Sequence, residues 1–363
     1  MSTLIVAFIA MTGCHSSSNL KAVNPTIVAE YSLPSAFGGE YNFTLGPDGA
    51  VWFIPDQSDY IGRFDTTSGH FDQYPLPKIP QSEMHGTANG SSTERRVEEM
   101  HGIVVGPDAS IWFTEYGAHR IGRITIHGEI TEYRLSDQNF PYGIAVGPDQ
   151  ALWFTNHGGN AIGRITTAGS VTEFPLSTDK ATPASIVAGP DGNLWFTEIL
   201  PARIGRMTTT GEFTDFSVGE AGQLGETPLL PCGDSGLWFV AGAQGSHAPF
   251  AWDYGVGRIS LAGKSDYFPL PSPPTPEPAA PCRSCVQSRL LVGSFPQPFG
   301  LAACDEGAVW YWIGEKVFGR VTSDGQVEQS LLTASNAETG SQTAAERRII
   351  WYVVGGKLRK VAL

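Results

Sequence analysis

Gly147-Pro-Asp-Gln-Ala-Leu-Trp153 and Gly189-Pro-Asp-Gly-Asn-Leu-Trp195 are two copies of one heptapeptide. Gly46-Pro-Asp-Gly-Ala-Val-Trp52 and Gly106-Pro-Asp-Ala-Ser-Ile-Trp112 are two more, and degenerate copies surround Trp238, Trp310 and Trp351. A second signature trails each tryptophan: Ile61-Gly-Arg63, Ile121-Gly-Arg123, Ile162-Gly-Arg164, Ile204-Gly-Arg206, Val256-Gly-Arg258, Phe318-Gly-Arg320 and, more weakly, Leu358-Arg-Lys360. One unit therefore occurs seven times.

Within a unit, an apolar run such as Gly102-Ile-Val-Val105 meets a Pro-Asp turn, then a Trp-Phe run, the Ile-Gly-Arg run and an alternating run such as Ile130-Thr-Glu-Tyr-Arg-Leu135. Proline presets φ for the turn and a following glycine accepts a positive one, so each unit reads as a four-stranded antiparallel meander. Clean copies recur at about 41 to 43 residues, the period of a propeller blade, and radial packing removes exposed sheet edges. The expected fold is all-β: a seven-bladed β-propeller of four-stranded antiparallel blades, its ring closed by an N-terminal strand over about residues 26 to 32 that joins the Trp351 blade. Residues 1–25 are expected to be a lipoprotein-type signal and tether, and residues 26–363 a single propeller domain. Three insertions, Lys78 to Val97, Ala241 to Trp252 and Pro271 to Ser294, fall where a meander opens on one face.

Hydrophobic content of 41%, aromatic content of 11% and 43 glycines suit a core of short strands and tight turns. The net charge of −13 speaks against a nucleic-acid backbone or an anionic membrane surface as partner, since both require clustered Lys and Arg. No apolar run reaches the roughly 20 residues that span a bilayer. Leu4 to Met11 followed by Thr12-Gly13-Cys14 resembles a bacterial lipoprotein signal with Cys14 as the acylated residue, a plain cleaved signal being the other reading. This predicts a periplasmic or extracellular monomer that meets the membrane only through a lipid anchor. In an exported chain Cys232, Cys282, Cys285 and Cys304 favour disulfides whose pairing is not readable, with Cys282 and Cys285 expected to be oxidised.

The repeated residues read as structural: Trp-Phe pairs fill blade interfaces, and the arginine of Ile-Gly-Arg is expected to satisfy polar groups between blades. Function belongs where repeats differ. The second unit carries Glu99, His101 and Glu115, with His101 opening the innermost strand and Glu115 closing its hairpin partner. The slot of His101 holds Tyr41, Tyr142, Ala184 and Phe299 in units one, three, four and six. A histidine between two carboxylates suits proton abstraction beside a divalent cation: carboxylates supply hard oxygen ligands, and imidazole titrates near neutrality. A hydrogen-bonded rim histidine beside a solvated Glu98-Glu99 run is the bland alternative. Asn156, beside His157 at the rim, is a candidate ligand contact, whereas His70, His85, His119, His127 and His247 read as surface residues. No phosphate loop and no serine elbow is present.

The units Gly-Pro-Asp-Gly, Leu-Trp-Phe-Thr-Glu, Ile-Gly-Arg-Ile and Thr-Glu-Phe-Pro-Leu, as in residues 147 to 177 and 189 to 207, resemble those of the virginiamycin B lyase family, clearly from about residue 40 to 217 and faintly beyond. That family carries a Glu two residues before a catalytic His and another fourteen residues after it, which fall here on Glu99, His101 and Glu115. Its Pro-Tyr-Gly-Ile segment on the following blade matches Pro141-Tyr142-Gly-Ile144. Tyr41 stands where the family has a second His, and Met100 where it has Pro. The resemblance implies that a streptogramin B, a cyclic depsipeptide, is inactivated by metal-assisted elimination. It assigns magnesium to Glu99 and Glu115, removal of the α-proton to His101, and substrate contacts to Tyr142 and Tyr41. The competing reading is a non-catalytic cell-envelope propeller that binds a glycan, peptide or protein on the decorated face.

Overall fold

The computed structural model describes residues 26–32, 41–55, 58–78, 100–219, 223–224, 229–233, 236–244, 252–271, 299–305, 308–313, 317–331, 333–334, 349–354 and 357–362. The signal with Cys14, residues 79–97 of the first insertion, residues 272–294 of the third, and Glu99 lie outside them. The described strands form seven sheets, one per tryptophan unit, and the fold is the expected β-propeller.

In the clean units the heptapeptide works as a knot. Asp149 Oδ1 accepts from Trp153 Nε1 at 2.9 Å, and Asp149 Oδ2 accepts from Arg164 Nε at 2.7 Å. The Arg164 guanidinium then lies 6.0 Å from the centre of the buried Trp153 ring. Blades one and two repeat this with Asp48, Trp52 and Arg63 and with Asp108, Trp112 and Arg123. The arginine expectation is therefore corrected: these guanidiniums serve the turn of their own blade, because the Pro-Asp turn presents its carboxylate beside the third strand. Arg206 alone among the clean copies also reaches the next blade, donating to the Leu261 carbonyl at 3.1 Å.

Adjacent blades are joined by the aromatic residue of the fourth strand. Tyr74 stacks on Trp52 of its own blade with centroids 5.4 Å apart. It also packs beneath Gly128 of the next blade, whose φ of 88° favours glycine and where a Cβ would come within 2.4 Å of the Tyr74 ring.

Thr26–Ser32 pairs antiparallel with Lys357–Ala362, which pairs in turn with Ile349–Val354, the strand of Trp351. The N-terminal strand thus closes the ring. A short segment, Thr333–Ala334, adds parallel to its outer side. Leu358 joins the core of the first blade with Phe43, Val51, Phe53 and Phe64, and Tyr31 meets Phe64 edge-on at 5.4 Å.

The second insertion is built in part from hairpin: Gly236–Gln244 and Trp252–Ser260 continue their pairing out to Gln244 opposite Trp252. Cys232, in the first turn of blade five, forms a disulfide with Cys304 on the inner strand of blade six, with Cα atoms 5.4 Å apart. Cys282 and Cys285 lie outside the described residues.

Candidate functional site

Pairing registers place one row of residues at the same end of each blade. In blade two the row runs Met100, Glu115, Arg120, Arg134. In blade three it is Pro141, Asn156, Ala161, Pro175, and in blade four Pro183, Glu198, Arg203, Ser217. On the inner strands of these three blades the register slips directly after the row, so His101-Gly102, Tyr142-Gly143 and Ala184-Ser185 each form a bulge. A bulge re-aims the side chain it carries.

The bulges bring His101 and Tyr142 together across the blade boundary. Their rings stack with centroids 4.1 Å apart and planes 25° from parallel. Tyr116, the residue after Glu115, meets the His101 ring edge-on at 5.4 Å. His157 lies 5.4 Å from Tyr142, and Phe140 packs against Tyr116 at 5.1 Å. Burial among these rings pushes the His101 imidazole down to about 4, and the charge of His157 adds to the shift. The ring is therefore neutral at pH 7, with a lone pair available to take a proton.

Glu115 ends the second strand opposite Met100 and is 2% exposed. It offers a hard oxygen donor one residue along the hairpin from His101. Glu99, the second carboxylate expected here, lies outside the described residues. Among the described residues no group of three or more His, Cys, Asp or Glu side chains is arranged to hold a metal ion. The donor chemistry at Glu115 suits magnesium, which takes oxygen ligands and keeps several waters, so one or two carboxylates suffice.

Tyr41 opens the inner strand of blade one opposite Pro55, at the same end as His101. Asn156 is buried and engaged within its own loop: its Oδ1 accepts from the amides of Phe140 and Gly159, both at 2.9 Å, and its Nδ2 donates to Asn139. His119, expected at the surface, is half-buried, with Nδ1 2.5 Å from the Asn139 carbonyl and its ring edge-on to Phe140 at 4.7 Å. Tyr116 escaped the sequence reading altogether. Its signal was its place directly after the second strand, where blade three has His157 and blade four Ile199.

The model of the virginiamycin B lyase family matches residues 78–280. No curated protein sequence matches the chain. Among solved structures, virginiamycin B lyase from Staphylococcus aureus is 27% identical with a TM-score of 0.67, the match covering 92% of this chain and 98% of that one. A catalytically inactive histidine-to-alanine variant of the Staphylococcus aureus enzyme, with quinupristin, is 26% identical with a TM-score of 0.66 over 92% and 98% of the two chains. A streptogramin B lyase structure, at 24% identity and a TM-score of 0.65 over 93% and 97%, shares the fold.

Proposed function

We propose that this chain, which belongs to the virginiamycin B lyase family, opens a cyclic depsipeptide ester by elimination at the rim of blades two and three. The observation that carries the reading is the His101 imidazole, kept neutral by burial and stacked on Tyr142 beside the Glu115 end of the same hairpin. In the proposed step, His101 takes the proton α to a carbonyl. The C–H electron pair becomes a C=C bond, the Cβ–O bond of the ester breaks, and its pair leaves on the carboxylate oxygen. No water enters the product. Glu115 and Glu99 would hold magnesium, which when bound would supply positive charge that makes an α-proton easier to remove. Tyr142 and Tyr41 would contact the substrate, and Asn156 would act by tying residues 139 and 140, ahead of the inner strand, to Gly159 in the turn after its own strand.

The same proposal puts the protein in the cell envelope as a monomer anchored through Cys14. The Cys232–Cys304 disulfide supports an oxidising compartment.

The test is to incubate the purified propeller with quinupristin and magnesium and to weigh the product. Elimination leaves the mass unchanged while the ring opens. A product heavier by one water means hydrolysis and overturns the mechanism. Binding without reaction supports the non-catalytic reading.

A further inference from the structure

A continuous hydrogen-bond chain threads the three bulges. The Gly102 amide donates to Thr114 Oγ1 at 2.7 Å, and the Thr114 hydroxyl donates to the Tyr142 carbonyl at 2.7 Å. The amide of the same Tyr142–Gly143 peptide donates to Thr155 Oγ1 at 2.8 Å, and the Thr155 hydroxyl donates to the Ala184 carbonyl at 2.7 Å. The Ala184–Ser185 peptide continues to Thr197 Oγ1 at 3.0 Å. Peptides and hydroxyls alternate, so the Thr114 and Thr155 hydroxyls each accept and donate at once and polarise the next link.

The chain is not a property of the repeat. The slot of Thr114 holds Ile54, Val240, Trp312 and Val353 in units one, five, six and seven. Where Ile54 fills it, Tyr41–Leu45 pairs with its neighbour without a slip. The threonines begin at the blade of His101 and run through the blade of Tyr142. Thr114 is fully buried, so no solvent competes for its hydroxyl, and its β-branched side chain has few rotamers to lose. The strands it ties are close: a Cβ on Gly102 would come within 2.8 Å of the Tyr142 carbonyl oxygen.

We infer that Thr114 is a positioning residue, whose hydroxyl locks the His101–Gly102 peptide to the Tyr142–Gly143 peptide and so sets the stacked placement of the two rings. As a contribution to catalysis, the inference rests on the proposed elimination. As a statement about ring placement, it does not.

The test compares Thr114→Val with Thr197→Val. Each removes one buried hydroxyl of the chain, but only the first lies between His101 and Tyr142. Thr114→Val should lower kcat by roughly 10- to 100-fold with little change in KM, the scale expected when a reacting group is misplaced. The ring-current shifts that the His101 and Tyr142 rings impose on each other's protons in NMR spectra should shrink as the stack, 4.1 Å between centroids, loosens. Thr114→Ser should restore both. Thr197→Val should leave kcat within about twofold and the ring-current shifts in place. Equal effects of the two valines on kcat and ring-current shifts, or no effect of Thr114→Val on either, overturn the inference. If Thr114→Val does not fold, Thr114→Cys and Thr197→Cys carry the same comparison, because a thiol is a weak donor and acceptor. If the wild type opens no ester, the functional reading fails and the ring-current shifts alone decide the placement.

Discussion

The imidazole of His101 lies against the ring of Tyr142, centroid to centroid at 4.1 Å, although the two residues belong to different sheets. The stack buries the imidazole and holds its proton affinity down to about 4. Turnover that depends on the neutral ring should therefore stay level from pH 8 to pH 5, where a base with an ordinary histidine pKa would already be fading. His101→Ala should cost 10²–10⁴-fold in kcat, the usual loss for a general base, without loss of folding. A pH–rate profile that falls below pH 6.5 would count against the lowered proton affinity, and turnover unchanged in His101→Ala would count against the base assignment. Stability follows the same shift. Between about pH 6.5 and 4 the unfolded chain binds the proton and the folded one does not, so stability drops as pH falls through that window.

Glu198 occupies in blade four the row position of Glu115, fully buried, and it moves in the opposite direction. Burial first, and then the charge of Asp215, raises its carboxyl to about 7, with Arg203 and Thr178 opposing. From the ordinary glutamate value of 4.5 up to about 7 the folded state holds a proton that the unfolded chain releases, so this group destabilises the fold increasingly as pH rises through that range. Glu198→Gln should stabilise the protein by up to about 3 kcal/mol at pH 8 and by little at pH 4.5. Urea unfolding at both pH values is the check, and equal gains at the two would refute the linkage.

Cys232 and Cys304 are separated by 72 positions in the chain, and their disulfide joins blades five and six. By loop-closure entropy a bridge of that span stabilises by about 4 kcal/mol. A Cys232→Ser, Cys304→Ser double variant should melt several degrees lower than the wild type. Adding reductant should shift the wild type and leave the double variant where it is. A wild type that ignores reductant while both thiols become labelled would show that the bridge contributes nothing.

Seven blades were legible because the knot that builds each one uses a short run of chain: turn, tryptophan and arginine recur with their spacing intact. The N-terminal strand was legible because the Trp351 unit otherwise lacks a fourth strand. The arginine's partner was misread because the Pro-Asp turn was taken for backbone geometry alone, whereas Asp149 binds both Trp153 and Arg164. The burial of His119 and the contact of Tyr116 were not legible because Phe140, which covers both, arrives from the next blade. The pairing of Cys232 with Cys304 likewise exists only once two blades are packed. The place of His101 and Tyr142 at the start of inner strands was readable. Their stacking depends on bulges that leave no periodic trace.

The strand Thr26–Ser32 leaves the ribosome before every other described strand, yet its hydrogen-bonding partner Lys357–Ala362 is the last described strand to emerge. Throughout synthesis the early strand waits with its backbone groups unmatched, an invitation to pair with a neighbouring nascent chain. A polypeptide cut short anywhere before residue 357 would keep that invitation open. Quality control therefore has a simple cue for an unfinished copy, which is an unclaimed strand ahead of the first blade.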